Sequence, residues 1–375
     1  MTTNLPAVDV VIPAFNAAKT ISAAVQSCLA QTAPNLRVIV VDDGSTDATA
    51  LAVRSLACQD SRITLIRQPN SGIAAAMNTG IRAGNAPFVA RLDADDLSDP
   101  DRHRLQLAHF ARHPDLVALS GAHHEMAADG HDTGHVNAPP ANLHADPDWL
   151  PAREPALTQP FAMVRRDALL RVGLYRPFPV SEDTDLYWRL SAIGRLANLP
   201  DILGTYRMHG GSVSGASIQG GRRMAICSQL AALSARRQRR HEPDLALTPE
   251  SLRLLCGPLT LPSSLTTLRQ ALRLTAQEHA WLVPAVAAKL TELSGYRPYE
   301  LDAADCVFIG SALLPHKLIA FRCDATEITR MRAATAARML RLGRLRDAAI
   351  LAKGDWGRVI ARAATGRLYW SKRTV

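Results

Sequence analysis

The sequence predicts an α/β protein with a mostly parallel sheet in its first half, and three observations predict it. Short β-branched runs alternate with helically spaced segments over the first hundred residues, Pro13 closes the first run, and acidic residues gather just after the second and the fourth. Strand–helix–strand alternation at this spacing gives parallel strands joined by right-handed crossovers. Ligands of such sheets bind beyond the carboxyl ends of the strands.

The first strand is predicted over Val8–Ile12, a β-branched run closed by Pro13. Ile21, Val25, Cys28 and Leu29 fall at helical spacing and predict a helix over 17–30. Arg37–Val41, Ile63–Ile66 and Phe88–Leu92 are the next strands, with helices over 46–56 and 73–83 between them. A helix over 101–113 follows, then a loop-rich stretch of Gly, Pro, Asn and Asp up to Pro160, then helices over 167–172 and 183–192. The small, polar segment from Gly210 to Gly221 marks a boundary. Beyond it Ala, Leu and Arg dominate with little strand signal, so a mostly helical region is expected.

The chain has 375 residues, 47% of them apolar and 21% charged, which suits two domains with ordinary buried cores. The expected division is 1–215 and 216–375. Val8–Phe15 contains Asp9 and Pro13 and lacks a basic lead-in, so it is not a signal peptide. No apolar run approaches the roughly 18 residues of a membrane span. Six scattered cysteines without a CxxC pattern are expected to be free, mostly buried thiols. A cytoplasmic protein is the default expectation.

Three acidic clusters carry the chemistry. Asp42-Asp43-Gly44 follows the second strand, where Asp43 is placed to accept hydrogen bonds from a base or ribose. A plain turn and helix cap is the other reading of this stretch, and the preferred one for Asp47. Asp93-Ala94-Asp95-Asp96 follows the fourth strand, and carboxylates packed this densely need a balancing cation. A D-x-D pair of hard oxygen ligands suits Mg2+ or Mn2+ shared with substrate phosphates, and a solvated acidic turn leading to Asp99-Pro100 is the other reading. Asp183 opens a helix whose apolar face carries Leu186, Tyr187 and Leu190. It reads either as a general base on a rigid support or as a carboxylate favoured by the helix dipole.

Val10-Val11-Ile12-Pro13-Ala14-Phe15-Asn16, VDDGSTD at 41–47, LDADD at 92–96 and EDTDLYWRL at 182–190 occur in this order. Together they resemble a family 2 glycosyltransferase with the GT-A nucleotide-sugar fold. Asn70–Ile81, Arg104-Leu105-Gln106 and Tyr206-Arg207-Met208-His209 add smaller likenesses, and the resemblance covers roughly residues 5–215. It implies that Pro13, Phe15, Asn16, Asp42, Asp43, Gly72 and Asn78 surround the nucleotide sugar together with Asp93 and Asp95. It implies further that Asp93, Asp95, Asp96 and His209 serve a Mn2+ or Mg2+ ion, with Asp95 foremost. Asp183 matches the catalytic base, with Glu182 beside it near the acceptor, and Gln159-Pro160 stands where many relatives carry a histidine. One base and one metal imply single displacement with inversion, with a nucleotide-sugar donor, UDP by analogy, and a glycan or lipid-linked acceptor of surface polysaccharide synthesis.

Other chemistries lack their motifs. Eight of the twelve histidines lie between His103 and His144 without zinc-ligand spacing, and no GxGxxG, GxxxxGK[ST] or G-x-S-x-G occurs. The alternatives that remain are a nucleotidyltransferase of related fold and a non-catalytic nucleotide-sugar-binding or scaffold protein. Residues 325–375 hold twelve Lys plus Arg against three acids, the whole of the net +9, so the first 324 residues are balanced and no nucleic-acid partner is expected. A helix–turn–helix around Gly343 is expected in that basic tail, with Trp356, Tyr369 and Trp370 as anchors to an anionic membrane face or a partner. This would place the protein at the inner face of the membrane.

Overall fold

The structure, a computed structural model, describes residues 7–33, 35–141, 143–208, 217–295 and 300–365. In chain order the first part runs β1 (Val8–Ala14), α1 (Ile21–Leu29), β2 (Leu36–Asp42), α2 (Thr49–Ala57), β3 (Ile63–Arg67), α3 (Ile73–Ala83) and β4 (Phe88–Arg91). It continues with β5 (Leu97–Ser98), α4 (Arg102–Arg112), β6 (Leu116–Met126), β7 (Asp132–Asn137), β8 (Trp149–Leu150), β9 (Met163–Arg165), α5 (Arg166–Arg171), α6 (Glu182–Ser191) and β10 (Arg195–Arg207). Then come α7 (Ile218–Arg239), α8 (Pro249–Cys256), α9 (Leu261–Ala271), α10 (Ala276–Ser294), α11 (Ala303–Ala312) and α12 (Pro315–Leu318). After β11 (Arg322–Cys323) the described chain ends in α13 (Ala325–Arg341), α14 (Leu345–Ala352) and α15 (Trp356–Thr365).

The sheet order is β3-β2-β1-β4-β9-β6-β10-β5, with β7 on β6. β1 is parallel to β2 and β4, and β2 to β3. β9 is antiparallel to both β4 and β6, and β10 is parallel to β6, so six of the nine strands share one direction. This is the α/β, mostly parallel fold class the sequence predicts, with helices following it. All seven residues of β1 are buried, as a central strand covered on both faces requires. Its one charge, Asp9, is met by Arg37 Nε at 2.9 Å, Arg166 Nη2 at 2.6 Å and the Ala86 N–H at 2.8 Å. At Gly80 an added Cβ would stand 2.4 Å from Val11 Cγ1, so only a glycine lets α3 seat this closely on β1.

The four predicted N-terminal strands are present, each within two residues of its expected bounds. Two long strands, β6 and β10, stand where no strand is expected. β6 runs through the stretch expected to be loop, because Ser120, Gly121, His123 and His124 break its apolar pattern although most of it is buried. β10 holds Pro200 and shifts register against β6 at three places, which erases any period of two. The six cysteines are free, but Cys58 and Cys256 are exposed and only Cys28, Cys227 and Cys306 are buried.

Helix α6 lies between two cores. Leu186, Tyr187 and Leu190 pack with the sheet-side cluster, while Trp188 packs with the helices that follow. Buried Asp185 fixes it from inside: Arg189 Nη2 is 2.7 Å away and the Arg176 guanidinium pairs with the same carboxylate. Arg176 also reaches Asp244 at 2.5 Å and Ser234 Oγ at 2.8 Å, tying α6 to α7 and the loop after it.

The helix–turn–helix of the basic stretch is present, with Gly343 at φ +74° between α13 and α14. It is packed rather than detached, since Ile328, Met331, Ala336 and Met339 join the helical core. Arg332 donates to Leu313 O at 2.8 Å, Arg344 pairs with Asp347 at 2.7 Å and Arg338 with Glu300 at 3.1 Å. Tyr369 and Trp370 lie outside the described residues. No helix among the described residues is long and apolar enough to cross a membrane.

Replacing Asp185 with Ala leaves Arg176 and Arg189 without their shared buried carboxylate. The variant should lose about 3–5 kcal/mol of stability. Denaturant unfolding measures this, and a loss below about 1 kcal/mol would show that the network does not hold α6.

Candidate active site

A cavity of about 1030 Å3 opens beyond the carboxyl ends of β1 and β4, where a parallel sheet places its ligands. One side is built by the turn after β1: Pro13 ends the strand's apolar run, and Phe15, Asn16 and Lys19 follow it into the wall. Asn16 has φ +50° and is held by both neighbours of the second turn: its N–H donates to Ser45 Oγ at 2.9 Å, and its Oδ1 accepts the Thr46 N–H at 2.9 Å. Asp47 takes the role of a turn residue, accepting from the Thr49 and Ala18 N–H groups, and also faces the cavity.

The floor is the turn after β4. Asp93 and Asp95 both line the cavity and are half-buried. Arg91, almost fully buried, donates from Nε to Asp93 Oδ1 at 2.7 Å. Arg207, at the end of β10, donates from Nε to the Asp95 carbonyl at 2.9 Å and from Nη1 to the Ala128 carbonyl at 3.1 Å, closing the turn from the other side.

The facing wall is the start of α6. Ser181 sits at φ +58° and turns the chain sharply, so that Glu182 and Asp183 meet the cavity as the helix begins. Buried Glu182 accepts from Gln159 Nε2 at 2.9 Å and lies 3.7 Å from Arg91 Nη1. Half-buried Asp183 accepts the Thr184 N–H at 2.8 Å. Burial pushes the Asp183 carboxyl up to about 7, and the Glu182 charge adds to that, against the Thr184 N–H and the Arg91 guanidinium. For Arg91 burial works against the charge, but Asp93, Tyr175 and Glu182 outweigh it and keep the guanidinium firmly protonated. Arg91 therefore lies between the Asp93 turn and the acidic helix start as a shared countercharge.

Seven of the sequence-predicted residues thus line one cavity: Pro13, Phe15, Asn16, Asp93, Asp95, Glu182 and Asp183. Five others stand outside it, and their side chains serve the framework. Asp42 is fully buried, pairs with Arg67 at 3.0 Å and accepts the Ser45 N–H. Asp43 spends both oxygens on the following loop, accepting from Gln68 Nε2 at 2.7 Å, the Ser71 N–H at 3.0 Å and the Gly72 N–H at 2.9 Å. Gly72, at φ +85°, caps α3, and Asn78 clasps the Tyr175 backbone through both of its amide atoms. Asp96 is buried under the Asp93 turn, where Oδ1 accepts the Arg207 N–H at 2.8 Å and Oδ2 has no hydrogen-bond partner among the described residues. Burial and the Asp93 charge push its carboxyl well above the usual carboxylate range. His209 lies outside the described residues.

Sequence reasoning missed Arg91, Arg207, Glu154 and Lys289, all of which line the cavity. For Arg91 a signal was available: an arginine inside a strand otherwise buried must have a carboxylate partner. Glu154 and Lys289 come from a loop and from a helix of the second half, and no local pattern marks them.

Residues 9–173 match the family model described as glycosyl transferase family 2. The chondroitin synthase of Pasteurella multocida is 29% identical over 215 residues, which span 56% of this chain and 21% of the synthase. The succinoglycan biosynthesis protein ExoO of Rhizobium meliloti is 34% identical over 168 residues, 44% of each chain. This chain thus spans about a fifth of the first relative's length and under half of the second's. The solved structure of the mannosyltransferase PcManGT from Pyrobaculum calidifontis, in complex with GDP-Man and Mn2+, is 18% identical with a TM-score of 0.49 over 99% of this chain and 89% of that one. The cavity's motifs at 13–16 and 93–95 thus lie within residues 9–173, the stretch of the chain that is similar to glycosyl transferase family 2.

Proposed function

We propose that the protein moves a sugar from a nucleotide sugar, with UDP as carrier, to a hydroxyl of a glycan or lipid-linked acceptor. The transfer is a metal-assisted single displacement with inversion, and residues 1–215 carry it out. The observation behind this reading is Asp183, a carboxyl pushed up to about 7 at a rigid helix start, in the same cavity as Asp93 and Asp95. The printed names of the synthase and of the succinoglycan protein support polysaccharide synthesis as the setting.

A sugar hydroxyl is a weak nucleophile, and a carboxylate within hydrogen-bond reach takes its proton as attack develops. A base with its pKa near the working pH is ionised often enough to act and still basic enough to accept. Glu182, held by Gln159 and Arg91, keeps α6 in register with the Asp93 turn. The turn after β1 and the Asp93 turn hold the nucleotide and its phosphates between them.

Asp93 and Asp95 fit a divalent ion. Among the described residues no three His, Cys, Asp or Glu side chains converge on one point. That suits an ion of the Mg2+ or Mn2+ type, which binds through one or two carboxylates and completes its shell with substrate phosphates. When bound, the ion stabilises charge on the departing nucleoside diphosphate. Asp96 would brace the turn from below, and His209 remains a proposed ligand.

The described part of the basic tail supports a peripheral contact with an anionic membrane face at the cytoplasmic side. Arg341, Leu342, Leu345 and Arg346 are exposed around the α13–α14 turn, and Lys353 and Trp356 are exposed past the other end of α14. Basic residues near such a surface each contribute about 1 kcal/mol. A double Arg341→Glu, Arg346→Glu variant should therefore lose at least about ten-fold in cosedimentation with phosphatidylglycerol vesicles. Unchanged cosedimentation would remove the membrane contact from the account.

The transfer itself is tested with Asp183→Asn, which keeps shape and removes the base. Its kcat should fall about 10²–10⁴-fold, while UDP with Mn2+ still raises its melting temperature. A kcat within about ten-fold of the wild type would exclude Asp183 as the base and favour the nucleotidyltransferase reading.

A further inference from the structure

Part of the cavity floor is made by β6 and by the segment before β9. Met163 of β9 pairs with Ala90 of β4 and with Leu119 of β6, so those two residues stand level in the sheet. β4 and β6 run the same way, each antiparallel to β9. Asp93 and His123, three and four residues further on, therefore leave the sheet at one end, and both line the cavity. Ser120 Oγ donates to the Thr158 carbonyl at 2.7 Å, which seats Thr158 and Gln159, also cavity-lining, against β6.

His123 is 5% exposed, and its ring centroid lies 5.5 Å from that of Phe161 and 5.8 Å from that of Tyr206. Packing alone would ask for an apolar ring there. Nδ1 is buried and has no hydrogen-bond partner among the described residues, whereas buried polar atoms are normally paired. Burial pushes the imidazole down to about 4, against the Gly121 backbone. The ring is thus uncharged, with one nitrogen to donate and one to accept. Gln159 spends its amide nitrogen on Glu182, and its Oε1 has no hydrogen-bond partner among the described residues.

We propose that His123 and Gln159 form the floor of the donor-sugar subsite and hold hydroxyls of the sugar being transferred. The proposal rests on the nucleotide-sugar reading above. In a single displacement the sugar lies between the departing phosphate and the incoming hydroxyl. The Asp93 turn stands on one side of this floor, and Gln159 joins the floor to Glu182, the neighbour of Asp183, on the other. A hydroxyl both donates and accepts, so sugar hydroxyls satisfy a neutral imidazole and an amide oxygen together. Phosphates suit them less, since neither group supplies the positive charge that strengthens a bond to an anion. UDP alone therefore gains little from His123, and the attached sugar gains a partner.

The test is calorimetric titration of the full chain with Mn2+, without acceptor. The ligands are UDP and whichever of UDP-glucose, UDP-galactose and UDP-N-acetylglucosamine the wild type binds most tightly. His123→Phe keeps a ring against Phe161 and Tyr206 and removes both nitrogens. The ratio of the UDP-sugar Kd to the UDP Kd should rise at least about five-fold, with the UDP Kd changed less than about two-fold. His123→Gln, which returns an amide, should recover part of the ratio. The UDP-induced rise in melting temperature reports folding in each variant. If His123→Phe does not fold, the smaller His123→Leu removes the same nitrogens and should raise the ratio likewise. An unchanged ratio in a folded variant, or an equal loss for UDP and UDP-sugar, overturns the subsite. A wild type that binds no UDP-sugar overturns the nucleotide-sugar reading, and the subsite falls with it.

Discussion

Asp93, Asp95, Glu182 and Asp183 line one cavity, and neighbouring carboxylates raise one another's pKa unless a cation lies among them. Arg91 is that cation. It ends β4, so the sheet fixes its backbone, and its guanidinium reaches Asp93 on its own turn and Glu182 across the cavity. Without the arginine, buried Glu182 would keep only the neutral Gln159 amide as its partner among the described residues. The Asp93 turn and the start of α6 are thus held at one spacing by a single side chain.

The rest of the first half braces those two elements. Asp96 and Arg207 lock the Asp93 turn to the end of β10, and Asp185 with Arg176 and Arg189 locks α6 to the helices beyond. Asp42 braces its own turn through the Ser45 N–H, and Asp43 braces the loop before α3. Acidic residues after a strand therefore fall into two groups here. Those whose oxygens are consumed by nearby N–H groups hold loops, and those left facing the cavity are available for chemistry.

This division explains what could be seen in the sequence. β1 to β4, their helices and α6 were legible because their apolar periods are local. The clusters at 42–43, 93–96 and 182–183 were legible because carboxylates at strand ends or a helix start are conspicuous. Their separation into framework and cavity was not, since Asp43 and Asp93 look alike until the loop at 68–72 folds over the first. β6 and β10 were invisible because His, Ser, Gly and Pro interrupt them and a bulged register hides the alternation. Arg91 and Lys289 find their partners in distant segments, Glu182 and Glu154, so no spacing rule pairs them.

The pH profile of an Arg91→Gln variant tests the central role of Arg91 most directly. In the proposed role of base Asp183 acts ionised, so wild-type kcat/KM should fall as pH drops below about 7. Glu182, Glu154, Tyr175 and Tyr187 also act on this carboxyl or feel its charge, and Arg91 is the cation among them that favours its ionised form. Removing that cation raises the carboxyl's pKa further. The acid limb of kcat/KM in Arg91→Gln should therefore move to higher pH than in the wild type. A limb that stays in place or moves to lower pH would contradict the claim that Arg91 is the shared countercharge of this site.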